Sequence, residues 1–279
     1  MTDSHSDDPM RSTRAGETVA TIGFRTLIAE LEKHAAESLA SKRYVLASDA
    51  DGTIWSGDIG VDLLQFGVRR GVFRDACLPY AQQLARDNGV RVCDEPTAQI
   101  AALDAAYEQS KISDEAMVHL CATAFAGIEQ AEFAQFCQSV VQAHQLEGRF
   151  HREICEVFRW AQRWAIPIWV VSASPRDVVV AGVASLGIAA EQVVGVEVEL
   201  DHGARSTRLV EPVPYAEGKR VAIQQHLQSC TVLAAFGDNY WDTALLSMAE
   251  FALAVRPKQA LLDRAQSAGN LRILQALST

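Results

Sequence analysis

Four short runs of uninterrupted apolar residues constrain this chain most. They are Tyr44-Val45-Leu46-Ala47, Pro167-Ile168-Trp169-Val170-Val171, Thr231-Val232-Leu233-Ala234-Ala235-Phe236 and Phe251-Ala252-Leu253-Ala254-Val255. Each is short and lacks polar alternation, the pattern of a strand buried on both faces. A smaller one, Gln192-Val193-Val194-Gly195, lies between the second and third. Helical periodicities fill most of the intervals. Strands alternating with helices predict an α/β fold with a doubly wound, mostly parallel sheet. The first interval is anomalous. It holds about ninety residues of helical pattern and no convincing strand, too many for one crossover. An all-helical domain inserted after the first strand accounts for it.

This reading divides the chain into a polar tail over 1–20, expected to be disordered, a core domain from 21–58 and 148–279, and an inserted helical domain over 59–147. Phe24, Leu27, Ile28, Leu31 and Ala35 recur at helical spacing ahead of the first strand. The alternating segment 196–200, the turn Asp201-His202-Gly203 and the return through 206–210 predict a hairpin. Phe251 to Val255 reads as the last strand, followed by a terminal helix.

Composition narrows the function classes. The net charge of −10 argues against a nucleic-acid partner, which requires a basic footprint. The six cysteines are dispersed with no Cys-x-x-Cys pair, so neither a zinc site nor a redox pair is indicated. No apolar run approaches the ~20 residues that span a bilayer, and the first residues lack the layout of a secretion signal. A soluble, cytoplasmic protein without a membrane partner is expected.

The strand ends carry the chemistry. The first run leads into Asp49 and Asp51, one residue apart, with Gly52-Thr53 turning the chain. C-terminal strand ends are where open α/β sheets bind ligands. Two carboxylates this close need a neutralising cation or a shared proton, and a hard ion such as Mg²⁺ suits oxygen donors. The second run ends in Ser172-Ala173-Ser174-Pro175, a hydroxyl followed by the amides of a helix start, suited to an anion. Gly218-Lys219 opens a later helix, and the third run ends in Gly237-Asp238-Asn239-Tyr240-Trp241-Asp242. Carboxylates and a cation facing a lysine and helix amides make a phosphate site. Each residue alone also fits turn or helix-cap chemistry.

The ordered set Asp49-Ala50-Asp51-Gly52-Thr53, Val170-Val171-Ser172-Ala173-Ser174, Gly218-Lys219 and Gly237-Asp238-Asn239-Tyr240-Trp241-Asp242 resembles the four motifs of the haloacid dehalogenase superfamily. The helical insertion after the first motif is similar to the cap of its phosphoserine-phosphatase-like branch. The resemblance implies a Mg²⁺-dependent phosphatase acting on a small phosphorylated metabolite through an aspartyl phosphate. Asp49 would be the nucleophile and Asp51 the acid–base. Asp49, the Asp51 carbonyl and Asp238 would bind Mg²⁺, with Asp242 supporting the metal or orienting Lys219. Ser172, the Ala173 amide and Lys219 would hold the phosphoryl oxygens. An acid at Asp51 favours phosphoester hydrolysis over carbon–halogen cleavage. A phosphotransferase of the same fold, or a non-catalytic phosphate-ester binder, are the alternatives.

Substrate contacts are thinner. Asp58 stands where phosphoserine phosphatases place a Glu on the substrate amine, and it equally suits a helix cap. Trp241 precedes Asp242 where those enzymes usually carry Asn, and their cap Phe and downstream Arg have no match. Phosphocholine- and phosphoethanolamine-like esters therefore stand beside phosphoserine. Of Trp55, Tyr107, Tyr240 and Trp241, which could form a cation–π pocket, Trp55 is read as a substrate contact and the others as packing. Gly52, Gly57 and Gly60 are read as hinges of a closing cap.

Overall fold

The computed structural model describes residues 19–38, 42–265 and 270–277. The expected tail therefore lies, but for its last two residues, outside the described residues. The main sheet has seven strands: β1 (Thr21–Ile22), β2 (Arg43–Ser48), β3 (Ile168–Pro175), β4 (Val193–Val196), β7 (Cys230–Gly237), β8 (Phe251–Val255) and β9 (Leu271–Leu274). A separate two-stranded hairpin comprises β5 (Val198–Asp201) and β6 (Ala204–Leu209). The order across the sheet is β1-β9-β8-β7-β2-β3-β4, and every pairing in it is parallel. The four apolar runs are its adjacent central strands, β8, β7, β2 and β3. Each is covered on both faces, which is why their sequences do not alternate.

Alternate residues of β2 show the layering. Leu46 faces a core shared with Leu27 and Leu31 of α1 (Phe24–Ser38), while Val45 and Ala47 face the opposite layer. Between β2 and β3 run α2 (Ile59–Arg70), α3 (Leu78–Asp87), α4 (Pro96–Glu108), α5 (Asp114–Thr123), α6 (Gln130–Ala143) and α7 (Arg152–Arg163). Val157 and Phe158 of α7 pack with α1 against the sheet, as does Val178 of α8 (Arg176–Val183). Ile223 of α9 (Glu217–Leu227), Leu245 of α10 (Thr243–Leu246) and Leu261 of α11 (Gln259–Ala265) cover the other face. No strand occurs in 59–147. Among the described residues, no helix is long and apolar enough to cross a membrane.

Two differences from the sequence reading stand out. Phe251–Val255 is not the last strand: β9 follows α11, and β1 completes that edge. β1 has two residues and β9 carries Arg272 in a half-buried stretch, so neither has the continuous apolar run of a central strand. The hairpin also lies against the inserted helices. The amides of Gly127 and Gln130 donate to the carbonyls of Arg205 and Gly203 (2.7 and 3.0 Å), and the Arg205 amide donates to the Ile128 carbonyl (2.9 Å).

Candidate active site

The C-terminal ends of β2, β3 and β7 converge because the strands are adjacent and parallel. Asp49 and Asp51 follow β2, Ser172 ends the regular part of β3, and Asp238 follows β7. Lys219 reaches in from the first turn of α9. Its ammonium donates to Asp49 Oδ1 and Asp242 Oδ1, each at 2.5 Å, and all three side chains are buried. The Thr53 hydroxyl donates to Asp49 Oδ2 at 3.2 Å. Asp242 Oδ2 accepts from the amides of Asp238 and Asn239, both at 3.0 Å. Asp242 therefore holds both the lysine and the loop that presents Asp238.

Carboxylate oxygens of Asp49, Asp238 and Asp242 lie within 4.8 Å of one another. Burial first, and then Asp242, push the Asp49 carboxyl well above its ordinary range, with Lys219 opposing. Burial and Asp242 likewise push Asp238 up to about 6, against the pull of Lys258, whose ammonium is 3.1 Å from Asp238 Oδ2. Burial alone would lower Lys219, but Asp242 and Asp49 outweigh it and hold the ammonium above its usual range. Six aspartates line the cavity against two lysines, Lys219 and Lys258.

That excess of negative charge, borne on hard oxygen donors, fits a divalent cation such as Mg²⁺. Gly52 keeps the approach open. A Cβ there would stand 2.3 Å from Asp238 Oδ2, and the residue's φ of +83° is one that L side chains rarely adopt.

Asp51 is oriented by four donors. Its Oδ1 accepts from the Trp55 indole N–H (2.8 Å) and the Ile59 amide (2.7 Å), its Oδ2 from the hydroxyls of Ser174 (2.7 Å) and Ser172 (3.4 Å). Asp58 caps α2, accepting from the Val61 amide at 2.9 Å, and also lines the cavity. Packing around it and the charge of Asp51 push its carboxyl up to about 7, although the side chain keeps surface open to the cavity. The two uses weighed for Asp58 are thus compatible in space.

The structure brings Asp49, Asp51, Ser172, Ala173, Lys219, Asp238 and Asp242 to one cavity. It does not bring Trp55 there. Trp55 is fully buried, stacked on Phe150 at 6.0 Å, with its N–H spent on Asp51. Tyr107 and Trp241, read as packing, line the cavity instead. The turn at Gly52 explains the reversal, because it folds Trp55 back under the first turn of α2. Gly60 is likewise no hinge. It lies inside α2, and a Cβ there would meet Ser174 Oγ at 2.7 Å, so it serves close packing.

Thr53, Ser174 and Lys258 were not singled out from sequence. Thr53 and Ser174 stood inside quoted motifs. Lys258 had no local signal, and its amide reaches the Asp238 carbonyl (2.8 Å) only because β8 runs beside β7.

The model of the haloacid dehalogenase-like hydrolases matches residues 46–247. No curated protein matches the sequence. Among solved structures, a protein of unknown function from Bordetella pertussis Tohama I is 17% identical, with a TM-score of 0.65 over 84% of this chain and 99% of that one. A conserved protein of unknown function from Anaerococcus prevotii is also 17% identical, with a TM-score of 0.66 over 95% and 94%. A HAD family hydrolase from Salmonella enterica serovar Typhi is 15% identical, with a TM-score of 0.51 over 86% and 74%. These three likenesses are of fold. With the matched family model spanning all four motif segments, the chain belongs to the haloacid dehalogenase-like hydrolase family.

Proposed function

We propose that the protein is a phosphatase that hydrolyses a small phosphomonoester through Asp49. The observation that carries this reading is the buried Asp49–Lys219–Asp242 bridge beside Asp238 and Asp51, at the bottom of a cavity. Lys219 and Thr53 fix both oxygens of Asp49, so the nucleophile is oriented before substrate arrives. Asp49 attacks phosphorus, the bond to the leaving oxygen breaks, and Asp51 gives that oxygen a proton. Asp51 then takes a proton from the water that cleaves the aspartyl phosphate, and alcohol and inorganic phosphate leave. Lys219, the Ser172 hydroxyl and the Ala173 amide hold the phosphoryl oxygens as charge redistributes.

Asp49, the Asp51 carbonyl and Asp238 would hold Mg²⁺, with Asp242 behind them. When bound, the ion supplies electrostatic stabilisation of the phosphoryl oxygens and offsets the carboxylate repulsion. Residues 59–147 would act as the cap, and 21–58 with 148–279 as the core. The four donors on Asp51 support that division of labour. Two of them, the Trp55 indole and the Ile59 amide, belong to the segment leading into the cap, so cap position and acid–base orientation are coupled.

Turnover of p-nitrophenyl phosphate, with and without EDTA, tests the reading. Metal-independent turnover, or full activity in Asp49→Asn, would overturn it.

A further inference from the structure

Beyond the phosphoryl end the cavity changes character. Both lysines of its lining lie on the carboxylate cluster, Lys219 on Asp49 and Asp242, Lys258 on Asp238. The opposite wall is made by Asp58, Tyr107, Asp114, Met117, Tyr215 and Trp241. Tyr107, Asp114, Tyr215 and Trp241 also line a wider cleft that Asp49, Asp51 and Lys219 do not reach, which puts these four on the mouth side.

Asp114 ties this wall together. The Tyr107 hydroxyl donates to its Oδ1 at 3.1 Å and the Trp241 indole N–H to its Oδ2 at 3.2 Å, and the Tyr215 and Trp241 rings pack at 4.7 Å. Both donors are neutral, and a carboxylate retains further lone pairs after accepting two bonds. Among the described residues, no Lys, Arg or His forms an ion pair with Asp58 or Asp114. Asp114 therefore offers a carboxylate without an ion-pair partner to whatever occupies the cavity, and Asp58 joins it when ionised.

A leaving group with its own carboxylate would meet Asp114, and Asp58 wherever that is ionised, while Lys258 is engaged by Asp238. A neutral polyol could pack on the rings and donate to the carboxylates, but would lack the cation–π and ionic attraction. An ammonium group gains from both, since rings attract cations through their quadrupole and carboxylates attract them directly. The inner cavity is about 170 Å³, below the roughly 300–1,000 Å³ of pockets for drug-sized ligands, so only a short linker separates the phosphoryl end from the wall at the mouth.

Resting on the phosphatase reading above, we propose that this wall selects phosphomonoesters of short amino alcohols. The phosphoryl group lies toward Lys219. A primary or quaternary ammonium lies among Asp58, Asp114 and the rings of Tyr107, Tyr215 and Trp241, and no carboxylate is tolerated beside it. Asp114 and the three rings are features of this chain's own geometry.

The test compares kcat/KM for phosphoethanolamine, phosphocholine, phosphoserine, glycerol phosphate and p-nitrophenyl phosphate. It also measures binding of choline against its neutral isostere 3,3-dimethylbutanol by tryptophan fluorescence. The expected result is an advantage of about 100-fold for the two amino-alcohol esters over glycerol phosphate and phosphoserine, narrowed about tenfold in Asp114→Asn. Choline should quench fluorescence and its isostere should not. The ratio between the two amino-alcohol esters tells primary from quaternary ammonium. Equal kcat/KM across all esters would overturn the proposal and leave the phosphatase reading standing. Choline binding without hydrolysis of any ester would support the ammonium site and overturn the phosphatase reading.

Discussion

At the residue scale, Asp49 combines two conflicting demands: it is buried, and it is surrounded by like charge. Lys219 reconciles them in part, with a bond to Asp49 and another to Asp242. Lys219→Met should therefore abolish activity and also destabilise the fold by about 3–5 kcal/mol, the cost of removing one partner from a buried ion pair. Chemical denaturation would measure it. Asp49→Asn should lower kcat by at least about 10³-fold while the protein still folds, a loss typical of a removed nucleophile. Trp55 is buried and donates its indole N–H to Asp51. Trp55→Phe keeps the ring in its packed site and removes the donor to Asp51, so kcat should fall about tenfold with KM little changed, consistent with the worth of a hydrogen bond to a charged group. A rise in KM at constant kcat would instead return Trp55 to the substrate.

At the element scale, the start of α2 and the β5–β6 hairpin join the inserted helices to the sheet. Asp58 and the Ile59 amide put the first turn of α2 against Asp51. The hairpin is fastened by Arg205, a buried cation. Its guanidinium donates to Gln130 Oε1 (3.1 Å), Asp177 Oδ2 (3.4 Å) and the Ala122 carbonyl (3.2 Å), and lies 3.8 Å from the centre of the Phe133 ring. It thus links α8 to α5 and α6. Arg205→Met keeps the stem and strands those acceptors, so a loss of about 3 kcal/mol, or roughly 6–12 °C in Tm, is expected. Nothing in the local sequence marks this residue, because an arginine in an alternating hairpin strand reads as solvent-facing. His151, which caps α7, is similar. Its Nδ1 lies 3.0 Å from the Thr53 carbonyl, an acceptor only, so the ring's proton belongs there, and Nε2 is buried with no hydrogen-bond partner among the described residues. Burial holds its pKa below the ordinary histidine value. The unfolded chain therefore takes up a proton that the folded protein resists, and stability should fall as pH drops below about 6.5. Thermal unfolding from pH 8 to 5.5 should show a shallower decline in His151→Asn than in the parent.

At the scale of the whole molecule, a parallel sheet collects the ends of strands far apart in sequence, and the resulting carboxylate cluster should bind metal in proportion to what it relieves. Chelation should abolish turnover, and added Mg²⁺ should raise Tm in a concentration-dependent way, the folded state gaining about 2.7 kcal/mol at a hundredfold excess over Kd. Asp238→Asn should remove most of that rise. Much of this site was legible in advance, because Asp49, Asp51, Ser172, Lys219 and Asp238 each sit at the end of a continuous apolar run or the start of a helix. A parallel fold brings such ends together whatever the loops do. The edge strands β1 and β9 were not legible, since a two-residue strand has no period and pairs only when the two ends of the chain meet. The aromatic assignments came out reversed for a related reason. Proximity in sequence put Trp55 near the chemistry, but the chain turns at Gly52 and buries it, while packing of α5 on β3 brought Asp114, and Tyr107 bonded to it, to the cavity. The sequence by itself determined the α/β class and the order of the strand-end motifs, because burial period and turn chemistry are local. Tertiary structure alone decided which aromatic rings line the cavity, that Lys258 joins Asp238, and that Asp58 and Asp114 line it with no ion-pair partner among the described residues, because each depends on contacts between segments distant in the chain.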